Sequence, residues 1–173
     1  TSCEAGAGAG REPESRERQR TGMKAIELAS IKEKIIERVK FENIPILGIC
    51  LGMHLLCRSS EEGILGGLGL VDAEVKKFYF PNNKNMKIPH MGWNIVKPIN
   101  RNPLIAKLEK EQRYYFAHSY KVVLDNPNLT IGTTHYGSDF CAAFQKKNIF
   151  GVQFHPEKSH SFGLELIKCF VEL

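Results

Sequence analysis

The chain has 173 residues, 42% of them hydrophobic, which is enough for one domain with a real core. Its net charge of +5 comes from 24 basic and 19 acidic residues that are interspersed, without the basic stripe and interleaved aromatics of a nucleic-acid surface, so no nucleic-acid partner is expected. No run of about 18 apolar residues marks a membrane span, the first residues lack an apolar signal region, and Cys3, Cys50, Cys57, Cys141 and Cys169 include no C-x-x-C pair; a cytoplasmic protein with reduced thiols and no metal site is the expectation.

Residues 1–21 carry an Ala-Gly alternation from Ala5 to Gly10 and then a charged stretch from Arg11 to Arg20, with no large apolar residue. Such a segment cannot bury surface to offset its ordering entropy, so it is expected to be disordered, with the domain running from Gly22 to Leu173. A phosphate-cradling reading of the Ala-Gly stretch fails because no strand precedes it and no Gly-Lys-Ser/Thr follows. Ser30-x-x-Glu33 then reads as a capping box heading a helix whose apolar stripe is Ile31, Ile35, Ile36 and Val39.

Ile44 to Ile49 is a short β-branched run, whereas Met53, Leu55 and Leu56 begin a helical pattern, so the chain reverses at Cys50. Gly48-x-Cys50-x-Gly52 has the layout of the serine nucleophile elbow, with flanking glycines permitting the close backbone approach of a strained strand-to-helix turn. A cysteine at a helix N-terminus is expected to have a lowered pKa, and the Leu51 N–H is placed to serve an oxyanion. The competing reading is a core cysteine between two convenient glycines, and only a partner histidine decides between them.

Ser59 to Gly63 breaks the pattern, and the glycine-rich stretch Gly63 to Gly69 feeds a strand from Val71 to Phe78. Pro81-Asn82-Asn83 marks a turn, and Ile88 to Asn94 reads as a loop whose tryptophan is either core or partner surface. Tyr114 to Val123 and Thr130 to His135 read as strands, and Phe140 to Gln145 with Ile149 to Phe154 as a hairpin. Phe162 to Leu173 closes the chain as an amphipathic helix, with Leu164, Ile167, Phe170 and Val171 inward and Ser159 or Ser161 as cap.

The partner histidine stands after the hairpin, in Phe154-His155-Pro156-Glu157. In an extended segment residues i and i+2 project to one side, and Pro156 stiffens the backbone between them, so Glu157 is expected to orient His155 and stabilise its imidazolium. Cys50, His155 and Glu157 then form a nucleophile, a base and an orienter for acyl transfer to water. His54, His118 and His135 are rival bases on composition, but only His155 has a carboxylate at so rigid a spacing.

Gly48-Ile49-Cys50-Leu51-Gly52-Met53 together with Phe154-His155-Pro156-Glu157-Lys158-Ser159 resembles the class I glutamine amidotransferases. The resemblance runs from about Gly22 to the C-terminus and implies an α/β, three-layer domain, a mixed sheet with helices on both faces. Within that family Ile88 to Asn94, His118-Ser119-Tyr120 and His155 to Ser159 are similar to the glutaminase subunits of imidazole glycerol phosphate synthases. This implies glutamine hydrolysis through a thioester on Cys50, no cofactor, and delivery of ammonia to a (βα)8-barrel cyclase/synthase, the heterodimer partner, in histidine biosynthesis. Such glutaminases typically need the synthase to switch their activity on.

By position in the motifs, Leu51 would donate to the oxyanion, Glu62 would meet the substrate's α-amino group, and Ser119 with Tyr120 would line the glutamine site. His90, Met91, Gly92, Trp93, Asn94 and Lys158 would face the synthase. Two other readings stand beside this one. Amidotransferases that supply ammonia for amidated sugars of surface polysaccharides resemble this chain in the Pro-His-Met-Gly-Trp-Asn loop, and an inert amidotransferase-like module would share the motifs without the activity.

Two departures from the family pattern bear on activity. His54 stands where the family usually has glutamine, one helical turn past Cys50; an imidazole would still donate one hydrogen bond to substrate but lacks the amide's paired donor and acceptor, so weaker glutamine binding is expected. Residues 1–21 resemble nothing of the family's first strand-helix-strand portion or its Pro-Gly-Val-Gly type oxyanion loop. The N-terminal strands are therefore expected to be missing, through truncation or a mistranslated start.

Overall fold

The computed structural model describes residues 21–24, 31–81, 83, 85–99, 102–105 and 112–173. The Ala-Gly and charged segment, Ser30 of the expected capping box, and Asn82 of the expected turn lie outside them. No helix among the described residues is long and apolar enough to cross a membrane.

Helix α1 (Lys32–Lys40) follows the Ile35, Ile36 and Val39 spacing and buries Val39, with Ile31 at the N-cap position and no side-chain cap. Strand β1 (Ile46–Ile49) runs straight into helix α2 (Leu51–Leu56), and the chain then extends as β2 (Cys57–Ser60) and β3 (Val71–Lys77). The remaining strands are β4 (His90–Pro98), β5 (Gln112–His118), β6 (Tyr120–Leu124), β7 (Thr130–Tyr136), β8 (Ser138–Lys146) and β9 (Ile149–Val152), followed by helix α3 (His160–Val171).

A six-stranded sheet has the order β1-β9-β8-β7-β4-β5, and a three-stranded sheet the order β2-β3-β6. Both mix directions: β1 lies parallel to β9 with Gly48 opposite Gly151, β2 lies parallel to β3, and the other pairings are antiparallel. The mixed α/β architecture expected from the sequence is present, and β8 and β9 form the expected hairpin through Lys147 and Asn148.

Three local readings are corrected. Ile88 to Asn94 is mostly strand, because β4 finds a partner at every position from His90 opposite His118 to Val96 opposite Gln112, and Pro89 precedes the ladder instead of interrupting it. Tyr114 to Val123 is two strands, because the chain changes sheets at Ser119: β5 pairs with β4, β6 with β3. Helix α3 is turned partly from the expected face: Ile167 and Phe170 pack against the first core cluster as expected, but Leu164 and Val171 are exposed, and Gly163, Leu166 and Cys169 are the buried positions. Gly163 sets that rotation, since a Cβ there would come within 1.8 Å of the Pro156 carbonyl oxygen. The close approach docks α3 beside the turn that carries His155.

Two apolar clusters hold the sheets. One gathers Phe116, Phe140, Val152, Phe154 and Leu166; the other gathers Met53, Leu56, Val71, Val75, Phe144 and Ile149. Met53 and Leu56 fix α2 from below, so the turn preceding it cannot relax without disturbing the second cluster.

Candidate active site

The turn between β1 and α2 is strained at one residue. Cys50 has φ +48° and ψ −105°, a conformation that costs a non-glycine residue on the order of 1–3 kcal/mol. The surroundings over-determine it: the Cys50 N–H donates to the Val152 carbonyl at 2.8 Å, and the Cys50 carbonyl accepts from the His54 N–H at 3.2 Å. Only one of the flanking glycines is sterically required. A Cβ at Gly48 would lie 2.7 Å from the Gly52 carbonyl and from Leu56, whereas one at Gly52 would meet nothing within 4 Å.

The expected lowering of the Cys50 pKa is not found. Burial pushes the thiol up to about 11, and the carboxylates of Glu62 and Glu157 add to the rise. The Leu51 backbone N–H and the Gln153 side chain act in the opposite direction, but α2 is only six residues long and its terminus does not outweigh desolvation. The sulfur lies 4.0 Å from the Ala117 carbonyl oxygen and 3.9 Å from Gln153 Nε2.

His155 and Glu157 are paired, with Nδ1 to Oε1 at 2.6 Å. The pairing comes from a short 3-10 turn over Pro156–Lys158, not from the extended segment expected, so it is the tightness of the turn that returns Glu157 to the imidazole. The turn is anchored at both ends: the His155 N–H donates to the Tyr115 carbonyl at 2.8 Å, and the Lys158 N–H to the His155 carbonyl at 3.0 Å. Ser159, expected as a helix cap, is fully buried and braces this turn instead. Its hydroxyl donates to the His155 carbonyl at 2.6 Å and accepts from the Tyr115 N–H at 3.0 Å.

A cavity of about 670 Å³ opens over both motifs, lined by Cys50, Leu51, His155 and Glu157 together with His54, Glu62, Ser119 and Lys158. Ile49, Pro89, Met91 and Ala117 make its apolar wall. Tyr120 is not brought to it; its ring is buried in the second apolar cluster because β6 alternates inward at that position. His54 is buried, with Nδ1 2.8 Å from Glu62 Oε2 and Nε2 3.0 Å from Gln153 Oε1. Both ring nitrogens are thus engaged within the protein, and the expected hydrogen bond from His54 to a substrate has no ring atom left to make it.

The rival histidines have other partners. His118 Nδ1 donates to the Tyr120 carbonyl at 2.6 Å, and His118 Nε2 stands 3.0 Å from His90 Nδ1, while Asn94 Nδ2 lies 3.2 Å from His90 Nε2. Burial lowers His118 well below the ordinary histidine range and pushes His90 down to about 4, so both are neutral. His90, expected at a partner surface, is therefore interior, stacked on Tyr136 and Phe116. His135 is exposed and paired with Asp139.

Of the other residues expected to face a partner, Met91 and Trp93 are 61% and 47% exposed and Lys158 is exposed, with Trp93 stacked on His160 and Lys158 Nζ 5.8 Å from the Tyr115 ring centroid. Gly92 and Asn94 are half-buried between them, and Asn94 donates to the His135 carbonyl. Gln153, in contact with both His54 and the Cys50 sulfur, is a neighbour of the site that the sequence does not point to; its signal there is a lone polar side chain in the apolar run Phe150 to Phe154.

The model of the class I glutamine amidotransferase family matches residues 19–172. The chain belongs to that family. This amidotransferase is 48% identical over 152 residues to the imidazole glycerol phosphate synthase subunit HisH 2 of Methanococcus maripaludis, covering 88% of this chain and 73% of that relative. It is 42% identical over 146 residues to the HisH subunit of Bdellovibrio bacteriovorus, covering 84% and 72%.

In fold the amidotransferase is similar to a putative GMP synthase protein of Thermoplasma acidophilum, with TM-score 0.59 at 21% identity over 84% of this chain. A glutamine amidotransferase of Thermotoga maritima gives TM-score 0.54 at 21% identity over 86%. The chain spans 62% and 54% of the length of those two solved chains.

Proposed function

We propose that this amidotransferase hydrolyses glutamine to glutamate and ammonia through Cys50, His155 and Glu157, and delivers the ammonia to a (βα)8-barrel synthase that forms imidazole glycerol phosphate. The observation that carries the reading is the strained Cys50 turn and the His155–Glu157 pair opening on one cavity. The relatives named as HisH subunits support the choice of acceptor.

In this reading His155 Nδ1–H donates to Glu157, which leaves Nε2 as the base. The Cys50 S–H proton passes to His155 as sulfur bonds to the carboxamide carbon of glutamine, and the Leu51 N–H receives the oxyanion. His155 then returns the proton to the departing nitrogen, releasing ammonia and leaving the thioester. Water, deprotonated by His155, attacks the thioester carbonyl, and glutamate leaves as the thiol is restored. Glu62 and Ser119 hold the substrate's amino-acid end. Burial raises the thiol to about 11, so the resting sulfur is protonated and His155 has to take that proton for the sulfur to attack.

In this reading the synthase-facing surface is made by Met91 and Lys158, which line the cavity, and by the exposed Trp93, which like Lys158 lies against Tyr115. The test is ammonia release from glutamine by the native chain with and without the synthase. Release that appears or rises when the synthase is added is expected; none in either condition would overturn the proposal.

A further inference from the structure

His54 has a partner on each ring nitrogen, and both partners are acceptors: the Glu62 carboxylate at 2.8 Å from Nδ1 and the Gln153 carboxamide oxygen at 3.0 Å from Nε2. A carboxylate offers no hydrogen, and neither does an amide oxygen, so each ring nitrogen must donate. An imidazole that donates from both nitrogens is an imidazolium. His54 is 2% exposed and Gln153 fully buried, so these two contacts are the hydrogen bonds the protein gives the ring.

The other end of the same carboxamide is what matters for chemistry. With its oxygen turned to His54, Gln153 presents Nε2 to the Cys50 sulfur at 3.9 Å. Were His54 neutral at Nε2, the carboxamide would turn over to donate to it, and its oxygen would face the sulfur instead. A donor favours the thiolate and an acceptor favours the thiol.

We propose that His54 is a positioning residue for Cys50: as an imidazolium clasped between Glu62 and Gln153, it holds the Gln153 carboxamide with its NH2 group toward the sulfur. This rests on Cys50 being the nucleophile. It also balances the Glu62 charge, which otherwise opposes thiolate formation. The ionisable groups facing the cluster are Glu62, Cys50, His118, His155, Glu157 and Lys158. Of these His118 is held neutral by burial, so His54 is the cation closest to hand for Glu62.

The test uses the full chain labelled with [15N]histidine, with the ring signals of His54 identified by their loss in His54→Gln or, should that variant not fold, in His54→Asn. At pH 7 both ring nitrogens are expected to carry hydrogens, and the side-chain NH2 signals of Gln153 are expected to shift as His54 is titrated. A carboxamide presents one donor group and one acceptor, so in His54→Gln it cannot donate to both Glu62 and Gln153, and iodoacetamide should modify Cys50 about fivefold more slowly. A bare ring nitrogen at pH 7 overturns the proposal, as does an unchanged Cys50 rate and pH profile in a folded His54→Gln chain. None of these readouts uses glutamine, so a chain that shows the imidazolium but hydrolyses no glutamine sinks the functional reading and leaves this one standing.

Discussion

The two halves of the site are held in place by different physics. The Cys50 turn is held by sterics and main-chain bonds: Gly48 admits the backbone of Gly52, Met53 and Leu56 pin α2 to the core, and Cys50 takes the strain. The His155–Glu157 turn is unstrained and held by polar contacts, four of which converge on His155, Tyr115 and Ser159. The cysteine is thus placed by packing that tolerates almost no change in volume. The histidine is placed by hydrogen bonds that can lose a member and keep their shape.

The largest effect expected from breaking one half is chemical. Glu157→Gln removes the charge that stabilises the His155 imidazolium while keeping an acceptor oxygen beside it, and should lower glutaminase turnover by roughly 100-fold with little change in melting temperature. Steady-state ammonia release and a thermal melt on the same preparation check this; a variant that unfolds early would mean the turn depends on the ion pair after all.

Breaking the other half should show first in stability. Gly48→Ala drives a Cβ to 2.7 Å from the Gly52 backbone and should cost about 1–3 kcal/mol in a denaturant titration. Gly52→Ala is the matched control, because it meets nothing within 4 Å and gains helix propensity; it should be neutral or stabilising by up to about 1 kcal/mol. Equal losses from the two substitutions would erase the distinction between the glycines.

The legibility of the sequence follows the same division. The elbow is readable because its constraints are local: a β-branched run, a glycine two residues before the cysteine, and a helical pattern after it. The His155–Glu157 pair is readable from its spacing, though the backbone shape that brings it together differs from the one the spacing suggests. What stays hidden depends on distant partners. The rise in the Cys50 pKa comes from burial and from Glu62, twelve residues away in sequence, and Gln153 acts only because β9 delivers it beside α2. Strand β4 reads as a loop because its ladder is formed with β5, and Leu164 and Val171 are wrongly read as inward on α3, beside the correctly read Ile167 and Phe170, because the contact of Gly163 with Pro156 has no periodic signature.

The most direct test of the central claim is covalent labelling with a glutamine-like electrophile, read by peptide mass spectrometry with the synthase present. Modification of Cys50 and of none of Cys3, Cys57, Cys141 and Cys169 is the predicted result; absence of label with and without the synthase, or label on another cysteine, would contradict it.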